Sequence, residues 1–204
     1  MITNKKITMR FIITFALVAF IFSNASAQTQ TQEQTKSTPK FELGGIGGLS
    51  LSNVVGNGVV GSNGIRLGMH LGGYAQFQIS DKFGVRPELH IISVKGTSSG
   101  DFKTYYFDLP LLGTFDLDDR FKIMAGVQPS ILINASVDDN RGDINITDEI
   151  RRIDISLLAG LWYEIDENWG IGIRAARGIS RVGASGDEQT YNVNYQLSVG
   201  YRFM

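Results

Sequence analysis

Hydrophobic and polar residues alternate along the last segment of the chain, residues 191–203. The two sets are Tyr191, Val193, Tyr195, Leu197, Val199, Tyr201 and Phe203, and then Asn192, Asn194, Gln196, Ser198, Gly200 and Arg202. Successive side chains of a β-strand point to opposite sides. The segment is therefore predicted to be a strand with one apolar and one polar face.

The same alternation recurs upstream and predicts about eight strands in all. The further segments are residues 41–51, 67–79, 83–91, 105–115, 121–133, 152–165 and 169–180. The first is the least regular, because Gly44, Gly45, Gly47 and Gly48 weaken its pattern. Strands of about ten to twelve residues match a tilted crossing of a membrane, whereas strands in soluble proteins average about five or six.

The connections between these strands also alternate, in length. Short acidic turns are predicted at 80–82, 116–120 and 166–168, and long polar loops at 52–64, 95–103, 134–150 and 181–190. Membrane barrels keep short turns on the periplasmic side and long loops outside. An even number of strands then brings both ends of the barrel to the periplasm.

Aromatic residues fall near the predicted strand ends, where the interfacial girdles of membrane barrels belong. They are Phe41, Phe77, Phe83, Tyr105, Phe115, Phe121, Tyr163, Trp169, Tyr191, Tyr201 and Phe203. A soluble lipocalin-like barrel with its apolar face inward would show the same alternation, but strand length, girdles and loop asymmetry favour a membrane. The predicted fold class is all-β, a transmembrane up-and-down antiparallel β-barrel of about eight strands.

The N-terminus predicts export from the cytoplasm. Lys5, Lys6 and Arg10 precede an apolar run at 11–22, and Ala25-Ser26-Ala27 forms an A-x-A cleavage site. The alternative, a permanent anchor helix, is disfavoured because the run is too short to span a bilayer. We therefore expect a signal peptide at 1–27, a flexible polar leader at 28–40 and an outer-membrane β-barrel at 41–204.

Composition narrows the chemistry. The 204 residues include 24 Gly and no Cys, and the formal net charge is −1. The lack of cysteine excludes disulfides, thiolate catalysis, Cys-based metal sites and a lipid-modified N-terminal cysteine. No basic patch is present to neutralise phosphates, so nucleic acid is not an expected partner.

Two loop motifs resemble ligand sites. Residues 56–61 match G-x-G-x-x-G, but no helix follows, so a glycine-rich loop is the better interpretation. Residues 138–149 resemble part of a calcium loop, but Asp143 replaces the required glycine. Weak binding of a divalent cation there is left open, and the triplet Arg141-Gly142-Asp143 is interpreted as a chance match to an adhesion motif.

Histidine and serine residues offer the remaining candidate chemistry. His70 and His90 fall on the polar face, but no third ligand stands at a diagnostic metal spacing. Ser93 lies near His90 but is predicted by phase to face lipid, and no G-x-S-x-G occurs. No catalytic residue, metal or cofactor is therefore predicted, and the protein is not expected to be an enzyme.

The charged residues of the polar face are predicted to form a lumen charge network. Its members are Arg86, Glu88, Asp108, Asp154, Glu164, Arg174 and Arg202, with His90 and Lys122 on the same face. A barrel of about eight strands is just wide enough for side chains to fill. Lone buried charges are costly, so they must pair. At least one of Arg174 and Arg202 is expected to pair with an inward acid, with Glu164 and Asp154 on the strand before.

The chain resembles the small outer-membrane β-barrel family common in Bacteroidota, called the porin family or outer membrane protein β-barrel domain. The resemblance rests on residues 105–112 (YYFDLPLL), 125–130 (AGVQPS), 171–174 (IGIR) and 199–203 (VGYRF), and it covers residues 41–203. It implies an outer-membrane location and no agreed activity or catalytic residues. Met204 departs from the pattern, since such chains usually end on the aromatic residue.

Three classes of function remain open. The favoured one is a barrel with a side-chain-filled lumen and a structural or interaction role, through extracellular loops or periplasmic contacts. The alternatives are a narrow gated channel for small solutes and a membrane-embedded enzyme acting on lipid or peptide. Expected partners are outer-membrane lipid, the barrel-assembly machinery through the C-terminal strand, and a possible unidentified protein.

Overall fold

The computed structural model describes residues 41–56, 64–98, 102–139, 142–181 and 190–204. They belong to one unit of the chain, Pro39–Met204. The predicted signal peptide, the predicted leader and all but the first residue of the glycine motif at 56–61 lie outside the described residues.

Ten strands and one short 3₁₀ turn, Thr147–Glu149, form in these ranges. The strands are β1 (Phe41–Gly56), β2 (Arg66–Gln78), β3 (Phe83–Thr97), β4 (Phe102–Asp108), β5 (Leu111–Asp116), β6 (Phe121–Asp139), β7 (Gly142–Asn145), β8 (Ile153–Glu164), β9 (Trp169–Gly178) and β10 (Thr190–Arg202). Every predicted strand is present, and β1, β3 and β6 run several residues into the predicted loops. No helix in the described parts of the chain is long and apolar enough to cross a membrane.

The antiparallel sheet closes on itself, because β1 pairs with both β2 and β10. β4 and β5 follow one another in a single position, since both pair with β3 on one side and β6 on the other. The ring order is thus β1, β2, β3, β4 with β5, β6, β8, β9 and β10, which makes eight positions among the described strands. β7 lies outside the ring and extends β6 as a hairpin.

The interruption between β4 and β5 falls at Leu109 and Pro110. Proline has no N–H to donate to a neighbouring strand. The ladder nevertheless continues, because Glu88 donates its backbone N–H to the Pro110 carbonyl (2.8 Å) and Leu109 donates to the Pro129 carbonyl (2.9 Å). The predicted strand at 105–115 is therefore one wall of the barrel with a local break.

Apolar residues cover the outside of the ring and mainly polar ones fill the inside. On β10, Tyr195, Leu197 and Val199 are exposed, whereas Gln196 and Ser198 are buried. This arrangement is typical of a protein whose outer surface contacts membrane lipid.

The short turns and both ends of the barrel share one rim, and an aromatic girdle surrounds it. The girdle consists of four cross-strand ring pairs, with centroid distances in parentheses. They are Phe41–Phe77 (5.1 Å), Phe83–Phe115 (4.8 Å), Phe121–Tyr163 (4.6 Å) and Trp169–Tyr201 (4.8 Å). Tyr105 and Tyr191 of the predicted set lie toward the opposite, long-loop rim.

Two aspartates fasten the turns below the girdle. Asp118 accepts the backbone N–H groups of Arg120 (2.8 Å) and Phe121 (2.7 Å), and Asp166 accepts those of Trp169 and Asn168 (2.8 Å each). These bonds stabilise the carboxylate form, so they lower the pKa of both side chains below the ordinary aspartate value.

Candidate functional site: the lumen charge network

The structure places the seven predicted residues of the lumen charge network at different depths. Arg86, Glu88, Asp108, Asp154 and Arg174 are buried, each at most 3% exposed. Glu164 and Arg202 face inward near the short-turn rim and are only partly buried. Five members therefore lie in the packed interior and two close its short-turn end.

Glu88 is the centre of the buried network. One carboxylate oxygen accepts from Arg86 Nε (3.0 Å), and the other accepts from Arg174 Nη1 (2.7 Å) and lies 2.9 Å from His90 Nε2. Hydrogen bonds of this charge-assisted kind are short and about twice as strong as neutral ones. Glu88 thereby neutralises charge from two different strands.

The pair of Glu88 and Arg174 spans the lumen. Glu88 is on β3 and Arg174 on β9, which stand four positions apart in a ring of eight and hence on opposite walls. Tyr74 on β2 and Trp162 on β8 are opposite in the same sense, and their rings pack edge to face with centroids 6.5 Å apart. Side chains from facing walls therefore meet at two levels of the barrel.

Arg86 connects these two levels. Its guanidinium carbon lies 3.7 Å from the ring centre of Tyr74 and 4.2 Å from that of Trp162. A cation over an aromatic face is attracted by the ring quadrupole, more strongly when both are desolvated. Arg86 is thus held by two aromatic rings and the Glu88 carboxylate.

The two rings that hold Arg86 belong to a buried apolar cluster, and the prediction of a polar lumen did not include this cluster. It contains Ile46, Tyr74, Leu112, Met124, Leu158, Trp162 and Ala176, all buried. Space for the Trp162 indole comes from glycines on β9 and β10, the two strands that follow β8 in the ring. A Cβ added at Gly170, Gly172 or Gly200 would lie 2.4–2.7 Å from an indole atom.

A second ionic cluster lies further toward the long-loop rim. Lys95 Nζ donates to Asp108 (2.9 Å) and to the hydroxyl of Ser130 (3.1 Å), and all three side chains are buried. Lys95 was predicted to begin a loop. It is instead an inward residue near the end of β3.

The prediction that Ser93 faces lipid is wrong. Ser93 is 2% exposed and its hydroxyl hydrogen-bonds Asp108. The cause is an irregularity in β3 between His90 and Ser93, where Ile91 and Ile92 both face outward. A β-bulge adds one residue to a strand and so reverses the facing of all residues beyond it.

The rim members of the network pair with acids and bases near the short turns. Arg202 Nη1 donates to Glu42 (2.5 Å), and Lys122 lies 3.4 Å from Asp116 and 3.9 Å from Glu164. Glu164 also accepts from the indole N–H of Trp162 (3.0 Å). Arg174 and Arg202 are thus both paired with an acid, but with Glu88 and Glu42 and not with Glu164 or Asp154.

Asp154 is held by one polar group just after β9 and one on β10. It accepts from the hydroxyl of Ser180 and from Asn192 Nδ2 (2.8 Å). No basic side chain of the described residues forms an ion pair with it. Its role in the predicted network is therefore hydrogen bonding near the long-loop end.

The two histidines lie together in the middle of the lumen. Their ring centroids are 5.1 Å apart, and His70 Nε2 lies 2.9 Å from the hydroxyl of Ser198, which also accepts from Arg174 Nη2 (3.2 Å). A serine beside a histidine is the beginning of a nucleophilic site. Ser198 is 0% exposed, however, and its oxygen is already committed to two partners.

Metal sites are not indicated in the part of the chain that the structure covers. It contains no group of three or more His, Cys, Asp or Glu side chains that could hold an ion. The acidic loop at 138–149 falls only partly within the described side chains, so weak cation binding there stays a prediction.

Sequence reasoning missed four participants. Glu42 follows Phe41 and precedes Leu43 in the glycine-weakened β1, and strict alternation would have placed it inward. Lys95 was hidden by the β3 bulge. Tyr74 and Trp162 are inward residues whose aromatic character, taken alone, favours the lipid side.

Comparisons with known proteins agree with this architecture. The model of the family described as outer membrane protein beta-barrel domain matches residues 13–203. No curated protein matches the sequence. The attachment invasion locus protein Ail of Yersinia pestis has a similar structure, with a TM-score of 0.52 at 16% identity over 80% of this chain and 99% of that one.

Neisserial surface protein A is similar to the same degree, with a TM-score of 0.55 at 17% identity over 82% of this chain and 100% of that one. At such identities the likeness concerns the fold alone. The family match, by contrast, covers nearly the whole chain, and the closed ring, outward apolar face and aromatic girdle agree with it. The chain belongs to the outer membrane protein beta-barrel domain family, and it is a protein of the cell outer membrane.

Proposed function

We propose that this protein is a closed, non-conducting barrel that holds its loops and rims rigidly for structural or interaction roles. The single observation that carries the proposal is the contact between opposite walls. Glu88 and Arg174 meet at 2.7 Å, and the Tyr74 and Trp162 rings pack against each other one level below. Contacts between opposite walls would interrupt a continuous column of water through the lumen, which supports the proposal.

The strength of these contacts supports a lumen that stays closed. Removing one partner from a buried ion pair costs about 3–5 kcal/mol, because the other charge is left without compensation. If opening required only the separation of Glu88 from Arg174 at about 4 kcal/mol, about one molecule in a thousand would be open. The Arg86 stacking adds to that cost.

The long-loop rim is the surface on which such a scaffold would act. Loops held by a rigid frame commonly carry binding function. The hairpin of β6 and β7 extends beyond the ring, and Thr147 fastens it by accepting the Ala135 N–H (2.9 Å). We expect a partner, so far unidentified, to contact this rim, and the barrel-assembly machinery to engage β10. We also propose, from the family resemblance of the sequence, that the protein comes from a member of the Bacteroidota.

Planar-bilayer recording tests the proposal. The unmutated protein is expected to give no steady conductance, and Arg174→Ala to give brief small openings, because it frees the Glu88 carboxylate and removes a tie across the lumen. Arg120→Ala is the control, since Arg120 lies exposed in a turn. A steady large conductance in the unmutated protein would reject the closed barrel and favour the narrow gated channel.

A further inference from the structure

The outer wall of the barrel carries an apolar groove that crosses β8, β9 and β10 and reaches Leu49, Leu51 and Leu67 on β1 and β2. Two small residues, Ala159 and Ala175, lie in it beside Leu161, Ile173 and Leu197, and its volume is about 610 Å³. A second depression of about 210 Å³ shares the last three of these residues and continues down to Phe121 and Tyr163 of the girdle. Together they form one track along the lipid-facing wall.

Arg177 stands at the upper end of this track. It is the next outward residue after Ala175 on β9, between Leu157 of β8 and Val193 of β10. Eight residues separate it from Trp169 in the girdle. At about 3.3 Å per residue and a tilt of about 40°, Arg177 lies about 20 Å above the girdle, near the far edge of an apolar band about 25 Å tall.

An outward charge at this position is unusual in the molecule. Among strand residues whose side chains are described, only Lys103 and Arg177 put a charge on the outer face. Ile179 and Ile155 lie beyond Arg177 on the same face, so the guanidinium rises from an apolar surface. Charges on the lipid face are destabilising unless they reach the interface or are compensated.

No acidic side chain in the described ranges forms an ion pair with Arg177. An anion from outside the protein would fit it, and a guanidinium matches a phosphate with two parallel hydrogen bonds. The long-loop rim faces outward in membrane barrels, so the anion in reach is a headgroup of the outer leaflet.

We propose that the groove and Arg177 form a binding site for one anionic, phosphate-bearing lipid of the outer leaflet. One acyl chain lies in the track over Ala175 and Ala159, and the headgroup phosphate pairs with Arg177. The track from Arg177 to Ile171 covers six residues, about 20 Å along the strand and about 15 Å along the membrane normal at a tilt of about 40°, which is the depth of about one leaflet. The proposal does not depend on whether the lumen is closed.

A second copy of the chain fits this surface less well. Two-fold symmetric interfaces bring the same patch of each subunit together. Such a dimer would place two Arg177 guanidinium groups on one apolar interface, where like charges repel strongly at low dielectric. An anionic lipid meets both the shape and the charge of the site.

Native mass spectrometry of the detergent-solubilised full chain, titrated with phosphatidylglycerol or phosphatidylcholine, tests the proposal. The unmutated protein should bind one molecule of phosphatidylglycerol in preference to phosphatidylcholine. Arg177→Gln should lower that preference about fivefold, the value of one basic contact to an anionic surface. Ala175→Leu should weaken binding of both lipids, because leucine fills the track.

Lys103→Gln is the matched control, because it removes the other outward charge but lies away from the groove. It should leave the preference unchanged. Equal losses in Lys103→Gln and Arg177→Gln would mean general electrostatic attraction and overturn the site. Unchanged lipid binding in Ala175→Leu would overturn the groove, and a dimer dissociated by that variant would make a second copy the occupant.

Discussion

At the scale of single residues, Glu88 decides how the interior is held together. Its two oxygens accept from Arg86 and Arg174 and contact His90. All of these side chains are buried, so water cannot replace Glu88 as their hydrogen-bond partner. The carboxylate therefore compensates two buried guanidinium groups at once.

Glu88→Ala should consequently destabilise the barrel by at least the 3–5 kcal/mol typical of breaking one buried ion pair, about 4 kcal/mol as a central value. The measurement is reversible unfolding by urea in lipid vesicles. Glu167→Ala is the control, because Glu167 is exposed in the turn before β9. Similar unfolding free energies for both variants would mean that Glu88 is not the centre of the network.

The turn aspartates give a prediction about pH. Backbone N–H donors, chiefly those of Arg120 for Asp118 and Trp169 for Asp166, lower the pKa of these carboxyls in the folded protein. Their contribution to stability is therefore complete above the ordinary aspartate pKa of about 4, and it is lost as the pH falls through the lower folded value.

The double variant Asp118→Asn with Asp166→Asn should lose part of this acid dependence. Unfolding midpoints measured between pH 7 and pH 3 should fall less steeply with acidification than those of the unmutated protein. Asp119→Asn, in the same turn as Asp118 but without its backbone bonds, should follow the unmutated protein. Parallel curves for all three proteins would contradict the capping role.

At the scale of strands, β9 and β10 are shaped around one side chain. The inward glycines Gly170, Gly172 and Gly200 leave the space that the Trp162 indole fills. An indole is rigid, so a new methyl group there can be accommodated only by moving the ring or the strand.

Gly172→Ala should therefore cost about 1–3 kcal/mol, the usual penalty for overpacking a close-packed interior. A Cβ at this position would lie 2.5 Å from Cε3 of Trp162. Gly113→Ala is the matched control, because its Cβ would meet only an ordinary contact at 3.7 Å on the outward face. The measurement is the unfolding free energy of both variants in urea. Equal values would mean that the Trp162 indole is not tightly packed against Gly172.

The facing of β10 gives a separate prediction. Leu197 is 48% exposed on the lipid side, so Leu197→Arg should cost about 2–4 kcal/mol near the membrane midplane. Gln196→Met, one residue away and inside, should be mild, because no described residue hydrogen-bonds the Gln196 amide. Ser198 is not a suitable control, although it also faces inward, because a substitution there would disturb its contacts with His70 and Arg174. Equal damage from Leu197→Arg and Gln196→Met would reverse the assigned faces.

Alternation along the chain was sufficient to predict the ring of eight and the inward facing of the charged residues, since a period of two fixes the side on which each residue lies. It failed where the period itself changes, as at the β3 bulge that brings Ser93 and Lys95 inside. Alternation also could not predict which inward side chains pair with one another. Glu88 and Arg174 are 86 positions apart in the chain and meet only because their strands stand opposite in the closed ring.

At the scale of the whole molecule, the girdle and the short turns mark one end of the barrel, and in outer-membrane barrels the short turns lie on the periplasmic side. Aromatic rings settle at the membrane interface, so the girdle fixes the height of that rim. Phe41, where β1 begins, lies at this rim.

The mature protein should accordingly begin at Gln28 and remain with the outer-membrane fraction. N-terminal sequencing by mass spectrometry tests the first expectation, and heat-modifiable migration on gels tests the closed barrel. An intact Met1 on the membrane-extracted protein would contradict the signal peptide, and recovery in the soluble fraction would contradict the membrane barrel.

The two tryptophans of the sequence stand on opposite sides of the same wall, and this gives the molecule two built-in fluorescent reporters. Trp169 is 46% exposed in the girdle, within reach of a brominated lipid that would quench its emission. Trp162 is 1% exposed and is covered only when β2 stands opposite β8. During refolding into vesicles, Trp169→Phe would isolate the signal of ring closure, and Trp162→Phe that of arrival in the bilayer. The order of the two signals would show whether the barrel inserts before or after it closes.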